Sequence, residues 1–282
     1  MGNRFFGWYF KCQGDGGTLS VIPAFHKNGK NSTCSIQIIT DDGAWNVTYP
    51  ASLWRRRRGF GVDIGKNAFG REGYTLDVSG EGITANGSVR FGSFTPLRSD
   101  IMGPFRFIPF LQCRHSVISM LHTVDGEITV NGRRYLFEGG RGYVEGDRGR
   151  SFPEVYAWTH GFTEGGSVML SVASIPFGLF RFTGIIGAVY EGGREYRIAT
   201  YRGARPQMIE GGKIVIRQGK KTLTAEQLTR SAHPLNAPVS GAMIRTIRES
   251  AACRARYRLT DGEREILSFE CPVASFEYEF PN

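Results

Sequence analysis

Hydrophobic and polar residues alternate along most of this chain, in short runs that glycine-containing turns separate. Residues 34–40 alternate in this way, and after Asp41-Asp42-Gly43 residues 44–49 do so again. Two alternating runs joined by such a turn predict an antiparallel hairpin. The same pattern predicts further strands over residues 74–79, 83–91, 117–124, 127–130, 133–137, 213–217, 221–228, 251–259 and 265–270. Many short strands at nearly regular spacing are typical of β-barrels and β-sandwiches.

Several turns and exceptions complete this pattern. Asn86-Gly87 is predicted to break the run 83–91, and Asp125-Gly126 to turn the chain between 117–124 and 127–130. The glycines around Asp15 predict a hairpin turn rather than a phosphate-binding loop. Helical patterning competes with strand patterning only over residues 224–231 and 239–249, and neither segment is long.

The two halves of the chain resemble each other when the sequence is shifted by 150 residues. The matches, in order, are Trp8 with Trp158, Gly16 with Gly166, Thr33 with Thr183 and Gly43 with Gly193. A shift of one further residue also aligns Leu19-Ser20-Val21 with Leu170-Ser171-Val172. Ordered matches of this kind indicate an ancient internal duplication. We therefore predict an all-β fold of two lipocalin-like antiparallel β-barrels, residues 1–141 and residues 142–282, each wide enough for one small ligand.

Composition agrees with a folded globular chain. The 282 residues are 40% hydrophobic and 22% charged, and the 38 glycines fall largely in turn signals. The five cysteines are widely scattered without a Cys-x-x-Cys pair, which favours reduced core thiols over a disulfide framework or zinc. The most apolar stretch, residues 101–111, is too short and too interrupted by proline, glycine and arginine to span a bilayer. We expect a cytoplasmic protein.

The formal net charge is +9, and its densest contribution is the run Arg55, Arg56, Arg57 and Arg58. A solvated turn between strands is one interpretation of this run. Weak peripheral contact with anionic lipid headgroups is the other. Because the run is not accompanied by a helix-turn-helix, zinc-finger or RNP-like motif, we predict no nucleic-acid partner.

The densest group of ionisable residues lies in residues 142–153, where glycines predict a turn between apolar strands. Glu145 and Asp147 lie two residues apart, so in an extended segment they would share one face, with Arg148 and Arg150 on the other. If the segment lines a barrel mouth, a carboxyl group beside aromatic walls could act as a general acid. A structural cluster of ion pairs is the alternative.

His115 precedes a predicted strand and could shuttle a proton to Asp147, or it could be a structural histidine. His122 follows seven residues later without a suitably spaced third ligand, so we predict no metal site. Two aromatic groups open the two halves and either pack in the core or line a pocket; they comprise Trp8, Tyr9, Tyr143, Tyr156 and Trp158. Motifs typical of hydrolases, kinases and dehydrogenases are missing from the sequence.

Three ordered blocks resemble the tocopherol cyclase family. They are Phe5-Phe6-Gly7-Trp8-Tyr9-Phe10-Lys11, the residues from Met102-Gly103-Pro104-Phe105 to the Cys113-Arg114-His115 block, and Gly142-Tyr143-Val144-Glu145-Gly146-Asp147 with the following Ser151-Phe152-Pro153 and Trp158. The family motif carries tryptophan where this chain has Arg148, which replaces an apolar aromatic with a cation. The acidic residue often found before the Gly-Trp-Tyr-Phe-Lys motif is also missing, since Phe6 directly precedes Gly7.

The resemblance implies a two-barrel fold and an enzyme of isomerase or hydratase type without a cofactor. Such an enzyme would perform acid-initiated intramolecular cyclisation, or hydration, of an alkene in a hydrophobic, prenylated aromatic substrate. Asp147 would be the acid, with Glu145 as its alternative and His115 as a helper. The substrate would contact Trp8, Tyr9, Tyr143, Arg148, Tyr156 and Trp158. The competing hypothesis is a non-catalytic, lipocalin-like binder of a small hydrophobic ligand.

Overall fold

The computed structural model describes residues 2–109, 111–177, 180–229 and 233–281. Strands account for 72% of the chain and helices for 4%. The first sheet has eleven strands in the order β4-β3-β2-β1-β11-β10-β9-β8-β7-β6-β5. They are β1 (Arg4–Gly14), β2 (Gly17–Asn28), β3 (Asn31–Thr40), β4 (Ala44–Pro50), β5 (Trp54–Arg56), β6 (Gly61–Ile64), β7 (Asn67–Gly70), β8 (Gly73–Gly80), β9 (Ile83–Phe91), β10 (Cys113–Val130) and β11 (Arg133–Gly149).

The second sheet has the order β15-β14-β13-β12-β21-β20-β18-β17-β16, with β19 paired to β20. Its strands are β12 (Tyr156–Phe162), β13 (Gly166–Phe177), β14 (Phe180–Glu191), β15 (Arg194–Ala199), β16 (Arg205–Glu210), β17 (Lys213–Gln218), β18 (Lys221–Gln227), β19 (His233–Val239), β20 (Ala242–Asp261) and β21 (Arg264–Tyr278). Three short 3₁₀ helices cover Ala51–Leu53, Gly103–Phe107 and Thr200–Arg202.

The two sheets share one topology. In each, four consecutive strands form an antiparallel meander whose first strand pairs with the last strand of the same sheet. In each, a 3₁₀ helix follows the fourth strand of the meander. This correspondence agrees with the internal repeat, and the predicted all-β fold of two related lipocalin-like halves is confirmed.

Each sheet packs one face on its own apolar core. Even-numbered residues of β1, namely Trp8, Phe10 and Cys12, belong to the first core cluster. In the second sheet Ala157, Leu170 and Phe276 belong to the corresponding cluster. Because successive side chains of a strand point to opposite faces, the odd-numbered residues of β1 lie on the other side of the sheet.

Chain contacts divide the protein into two compact units. The first comprises Met1–Leu97, Leu111–Phe152 and Leu235–Thr246, and the second comprises Arg98–Phe110, Pro153–Pro234 and Ile247–Asn282. The boundary expected between residues 141 and 142 falls inside β11. That strand pairs with β1 and β10 over most of its length, so it belongs entirely to the first sheet.

Three local predictions were wrong. Asp125-Gly126 forms a β-bulge inside the continuous strand β10 rather than a turn, with Gly126 at a positive φ of 130°. Asn86-Gly87 likewise lies within the unbroken strand β9. The turn expected over residues 142–153 is mostly strand, since β11 continues to Gly149. In each case cross-strand hydrogen bonds outweigh the local turn tendency of Gly and Asn or Asp.

Both segments with helical patterning contain strand instead. Residues 224–227 belong to β18, and residues 242–249 belong to β20, while residues 230–231 lie outside the described part of the chain. Pairing with neighbouring strands decided these elements against a weak local preference. Among the described residues, no helix is long and apolar enough to cross a membrane.

Candidate active site

Three neighbouring strands of the first sheet bring the predicted acid–base residues together. In the register of β10 and β11, His115 pairs with Asp147 and Val117 pairs with Glu145. On the other side of β11, Tyr9 of β1 pairs with Glu145. Residues 143, 145 and 147 alternate with the core residue Val144, so their side chains lie on the face opposite the apolar core.

The centre of this group is His115, which contacts a carboxylate through each ring nitrogen. Its Nδ1 lies 3.0 Å from Asp147 Oδ1, and its Nε2 lies 3.1 Å from Glu145 Oε2. The side chains of His115 and Glu145 are 10% and 7% exposed, whereas that of Asp147 is 22% exposed. The predicted pairing of the two carboxylates on one face is therefore realised, with Asp147 as the more accessible one.

Two further groups donate hydrogen bonds to these carboxylates. The Tyr143 hydroxyl donates to Glu145 Oε2 over 2.5 Å. The Cys113 thiol donates to Asp147 Oδ1 over 3.3 Å. Asp147 thus has the Cys113 thiol as a donor in addition to His115 Nδ1, and Glu145 has the Tyr143 hydroxyl as a donor beside its ion-pair contact with His115 Nε2, which does not itself form a hydrogen bond among the described residues. Buried carboxyl groups are normally accommodated by such donors.

Burial and charge act in opposite directions on the imidazole. Burial by itself lowers the pKa of His115, but the carboxylates of Glu145 and Asp147 outweigh it and raise that pKa well above its usual value. Burial, reinforced by the same carboxylates, also raises the pKa of Tyr143 and of the Cys113 thiol well above their usual values. The raised pKa favours the protonated imidazolium form of His115, and the raised pKa values of Tyr143 and Cys113 favour the neutral phenol and the neutral thiol.

Polar residues continue on this face around the acid–base group. The Ser20 hydroxyl donates to the Tyr9 hydroxyl over 2.9 Å. Lys11, which pairs across the sheet with Tyr143 and Ser20, is fully buried. Sequence reasoning had not assigned a role to Cys113, Lys11 or Ser20. Counting strand residues in steps of two from Tyr9 and His115 would have placed Lys11 and Cys113 on the same face, whereas Ser20 is placed there by its pairing with Lys11.

Two of the expected substrate contacts in the first unit lie away from the carboxylates. Trp8 is a core residue, with its ring stacked at 6.3 Å on Trp54 and in edge contact with Phe6. Arg148 is exposed and alternates with Asp147, so it lies on the other face of β11. The cation that replaces the family tryptophan therefore does not face the carboxylates.

Tyr156 and Trp158 belong to the second unit, on β12. Both are buried, and the Tyr156 hydroxyl donates a hydrogen bond to Glu277 Oε2 on β21. Trp158 pairs across the sheet with Glu277. Of the expected aromatic contacts, Tyr9 and Tyr143 are the two that lie on the same face of the first sheet as Glu145, where Tyr9 pairs with Glu145 across the sheet and Tyr143 donates to it.

One atom from each of His115, Glu145 and Asp147 lies within 4.8 Å of the others, which is close enough for a metal site. Each imidazole nitrogen, however, contacts a carboxylate, so a metal would have to displace one of these contacts. His122 does not join the group, because its Nδ1 lies 3.0 Å from Ser119 Oγ and its ring packs on Phe91 and Phe94. The residues fit a proton-handling site better than a metal centre.

The arginine run lies at the surface of the first unit. Arg55 and Arg56 are in β5, and all four arginines are exposed. Arg57 forms an ion pair of 2.5 Å with Asp63, and the Arg56 guanidinium lies 5.1 Å from the centre of the Phe6 ring. Lipid contact through this run stays a prediction.

No protein-family model matches the sequence, and no curated protein matches it either. Solved structures do match, over nearly the whole chain. An AttH protein from Nitrosomonas europaea aligns with a TM-score of 0.57 at 10% identity, covering 100% of this chain and 93% of its own. Kievitone hydratase from Nectria haematococca aligns with a TM-score of 0.56 at 8% identity, covering 99% and 90%.

The protein CghA aligns with a TM-score of 0.61 at 10% identity, covering 99% of this chain and 88% of its own. The resemblance to the two-barrel, tocopherol cyclase-like proteins is therefore confirmed for the fold. At these identities the similarity extends to the fold alone, so the chemistry has to be argued from the residues of this chain.

Proposed function

We propose that this protein is an enzyme that adds a hydroxyl group across an alkene by acid catalysis. The hydroxyl belongs either to water, which gives hydration, or to the substrate itself, which gives a cyclic ether. The substrate is hydrophobic and carries a prenyl-type double bond. The observation that carries the proposal is His115 with a carboxyl group at each ring nitrogen, the buried Glu145 at Nε2 and the more accessible Asp147 at Nδ1.

Asp147 is the group that exchanges the proton with the substrate. The Nδ1 proton of His115 moves to Asp147, and the resulting carboxylic acid protonates one alkene carbon. The π electrons form the new C–H bond and leave a tertiary carbocation on the other carbon. A hydroxyl oxygen adds to this cation and its proton returns to Asp147 and then to His115, so atoms and charge balance without a redox cofactor.

Glu145 and Tyr143 have positioning roles in this scheme. Glu145 fixes the orientation of the ring through its ion-pair contact with His115 Nε2, as a carboxylate does for a catalytic histidine elsewhere. Tyr143 holds Glu145 through its hydroxyl. Asp147, as the most exposed member, is the one that a substrate can reach.

The comparison adds support of a limited kind. Kievitone hydratase has this fold, and its name describes addition of water. CghA has this fold and has been crystallised with the compound Sch210972. A fold that serves hydration in one relative is a reasonable scaffold for hydration or cyclisation here, although the assignment depends on the residues named above.

The test is incubation of the purified full chain with a panel of prenylated phenols in H₂O and D₂O, analysed by mass spectrometry. Hydration adds the mass of water, and cyclisation leaves the mass unchanged. In D₂O either product carries one deuterium on the protonated carbon. We expect His115→Gln and Asp147→Asn to lower turnover by about 10²- to 10⁴-fold, as loss of a general acid does.

Glu138→Gln is the matched control, because Glu138 is an exposed carboxylate on the same strand, β11. It should turn over substrate at the wild-type rate. Circular dichroism of each variant separates loss of the site from loss of the fold. Turnover that survives Asp147→Asn, or substrate binding without turnover in the wild type, would contradict the proposal and favour a lipocalin-like binder.

A further inference from the structure

The second unit carries two phenylalanines whose side chains are largely exposed to solvent. Phe107 is 72% exposed and Phe180 is 78% exposed, the highest values among the exposed large hydrophobic residues of the described chain. Each is next to an exposed arginine, Arg106 or Arg181. These four residues are called the aromatic–arginine patch below. Exposed apolar surface of this kind usually marks an interaction site.

A contact between aromatic rings holds the two parts of the patch together. Phe105, in the 3₁₀ helix Gly103–Phe107, lies 6.0 Å from Phe182 of β14. Phe107 is two residues beyond Phe105, and Phe180 is two residues before Phe182. The exposed phenylalanines therefore flank one half-buried ring pair on the same unit.

The segment that carries Phe107 is anchored rather than loose. The buried guanidinium of Arg197 donates to the carbonyls of Ser99 and Asp100, both over 3.0 Å, and pairs with Glu195 over 2.7 Å. The Tyr201 hydroxyl donates to the Ile101 carbonyl over 3.1 Å, and the Tyr201 ring packs 5.9 Å from Phe105. Phe107 is thus presented to solvent by a fixed support.

The charge of the patch has one sign. Within residues 101–109 and 180–190 the charged side chains are those of Arg106 and Arg181, and neither range contains aspartate or glutamate. The acidic residues beside them are already hydrogen-bonded. Asp100 accepts from the Met102 amide over 2.8 Å, and Glu195 accepts from the Arg98 amide over 2.8 Å as well as from Arg197.

We propose that the aromatic–arginine patch docks on an anionic lipid surface. Aromatic side chains partition into the headgroup boundary, and arginines attract anionic headgroups through their charge. Arg106 also covers the Phe107 ring at 4.5 Å, which keeps cation and aromatic in one position. This surface lies on the second unit and is distinct from the Arg55–Arg58 run of the first unit.

Co-sedimentation with vesicles of phosphatidylcholine alone, or of phosphatidylcholine with phosphatidylserine, tests the proposal. We expect the wild type to bind the anionic vesicles more tightly and to be released by salt. Phe107→Ser with Phe180→Ser should weaken binding by about tenfold or more, because two aromatic side chains are withdrawn from the interface. Arg106→Gln with Arg181→Gln should weaken binding by roughly fivefold for each arginine and remove the preference for anionic lipid.

The matched control is Met208→Ser with Arg205→Gln, another exposed apolar and cationic pair on the second unit. It should bind as the wild type does. Unchanged binding in both patch variants, or binding lost only in Arg55→Gln with Arg58→Gln, would overturn the proposal. Sedimentation velocity tests whether a second copy of the chain binds the patch instead. If the wild type self-associates but does not bind vesicles, and the phenylalanine variant does not self-associate, the patch is a protein interface.

Discussion

The two sheets of this protein share a four-strand meander that pairs with the last strand of the sheet, but they carry different chemistry at corresponding positions. In the first sheet Asp147 of β11 pairs with Gly7 on one side and with His115 on the other. In the second sheet Glu277 of β21 pairs with Trp158 on one side and with Glu249 on the other. Both sheets have a carboxylate at this position. Its partner on the next strand is a histidine in the first sheet and a glutamate in the second.

The core-facing positions beside these carboxylates differ in a complementary way. Trp8 pairs with Gly146 in the first sheet, whereas Thr159 pairs with Phe276 in the second. Each pair combines one large and one small residue, with their order exchanged. A duplicated fold can therefore keep its core volume while the residues that fill it change places.

The same comparison corrects the alignment of the repeat. Trp8 belongs to the first core cluster, while Trp158 does not belong to the second, where its neighbour Ala157 does. The shift of 151 residues, which aligns Leu19 with Leu170 and Val21 with Val172, keeps core residues on core residues. A shift of one residue reverses the faces of a strand, so the tryptophan match at 150 is not a structural equivalence.

The core exchange predicts the largest effect on stability. Trp8→Thr should lower the free energy of unfolding by about 3–5 kcal/mol, because it leaves a cavity opposite Gly146. Gly146→Phe alone should also destabilise, since a Cβ at Gly146 would lie 2.9 Å from Trp8 Cδ1. The double variant copies the second sheet and should cost less than the sum of the single changes. Denaturant unfolding of the four proteins measures this coupling, and strict additivity would contradict it.

The buried histidines of the first sheet predict two opposite pH effects. The pKa of His115 is raised, so its contribution to stability is complete below the pKa of about 6.5 in the unfolded chain and is lost as pH rises through the folded value. Burial lowers the pKa of His26 to about 4. The unfolded chain therefore binds a proton first at this histidine, and the contribution of His26 to stability falls by on the order of 3 kcal/mol between pH 6.5 and 4.

Histidine-selective NMR titration together with unfolding at several pH values measures these effects. His26→Gln should reduce the loss of stability on the acid side. Glu145→Gln with Asp147→Asn should bring the pKa of His115 below its usual value, because burial then acts alone. A pKa of His115 that stays high in this double variant would show that the carboxylates are not its cause.

Removing the hydroxyl from either tyrosine–carboxylate pair is expected to lower the free energy of unfolding by a smaller amount, similar in the two sheets. Tyr143 donates to Glu145 in the first sheet, and Tyr156 donates to Glu277 in the second. Tyr143→Phe and Tyr156→Phe should each lower the free energy of unfolding by about 1–3 kcal/mol, because each removes a donor from a buried carboxylate. Thermal unfolding of both variants checks this. A much smaller loss of stability for Tyr156→Phe than for Tyr143→Phe would contradict the expected similarity of the two pairs.

The smallest effect is expected at Arg148. Its side chain is exposed and lies on the opposite face of β11 from Asp147. Arg148→Gln should change the free energy of unfolding by less than about 0.5 kcal/mol, as surface exchanges usually do. The NMR titration of His115 should be unchanged as well. A clear shift in that titration would place Arg148 closer to the site than the strand alternation does.

The sequence by itself determined the fold class, most strand positions and the repeat, because alternation and turn residues are local signals. The sequence also singles out Glu145, Asp147 and His115 as candidate acid–base residues, and their side chains do lie together, while their catalytic role stays a prediction. Tertiary structure decided that residues 142–149 are strand rather than turn, and that Asp125-Gly126 is a bulge. Both features depend on hydrogen bonds to strands that are distant in the sequence, and the local sequence pattern does not predict those bonds.

Tertiary structure also decided which candidates share a face. Strand register places His115 between Glu145 and Asp147, adds Cys113 and Tyr143 as donors, and turns Trp8 and Arg148 away. The sequence separates His115 from Asp147 by 32 residues, and only the pairing of β10 with β11 makes them neighbours. The physical reason is that side-chain direction has a period of two along a strand, so which residues meet depends on the register of pairing and not on the residue types alone.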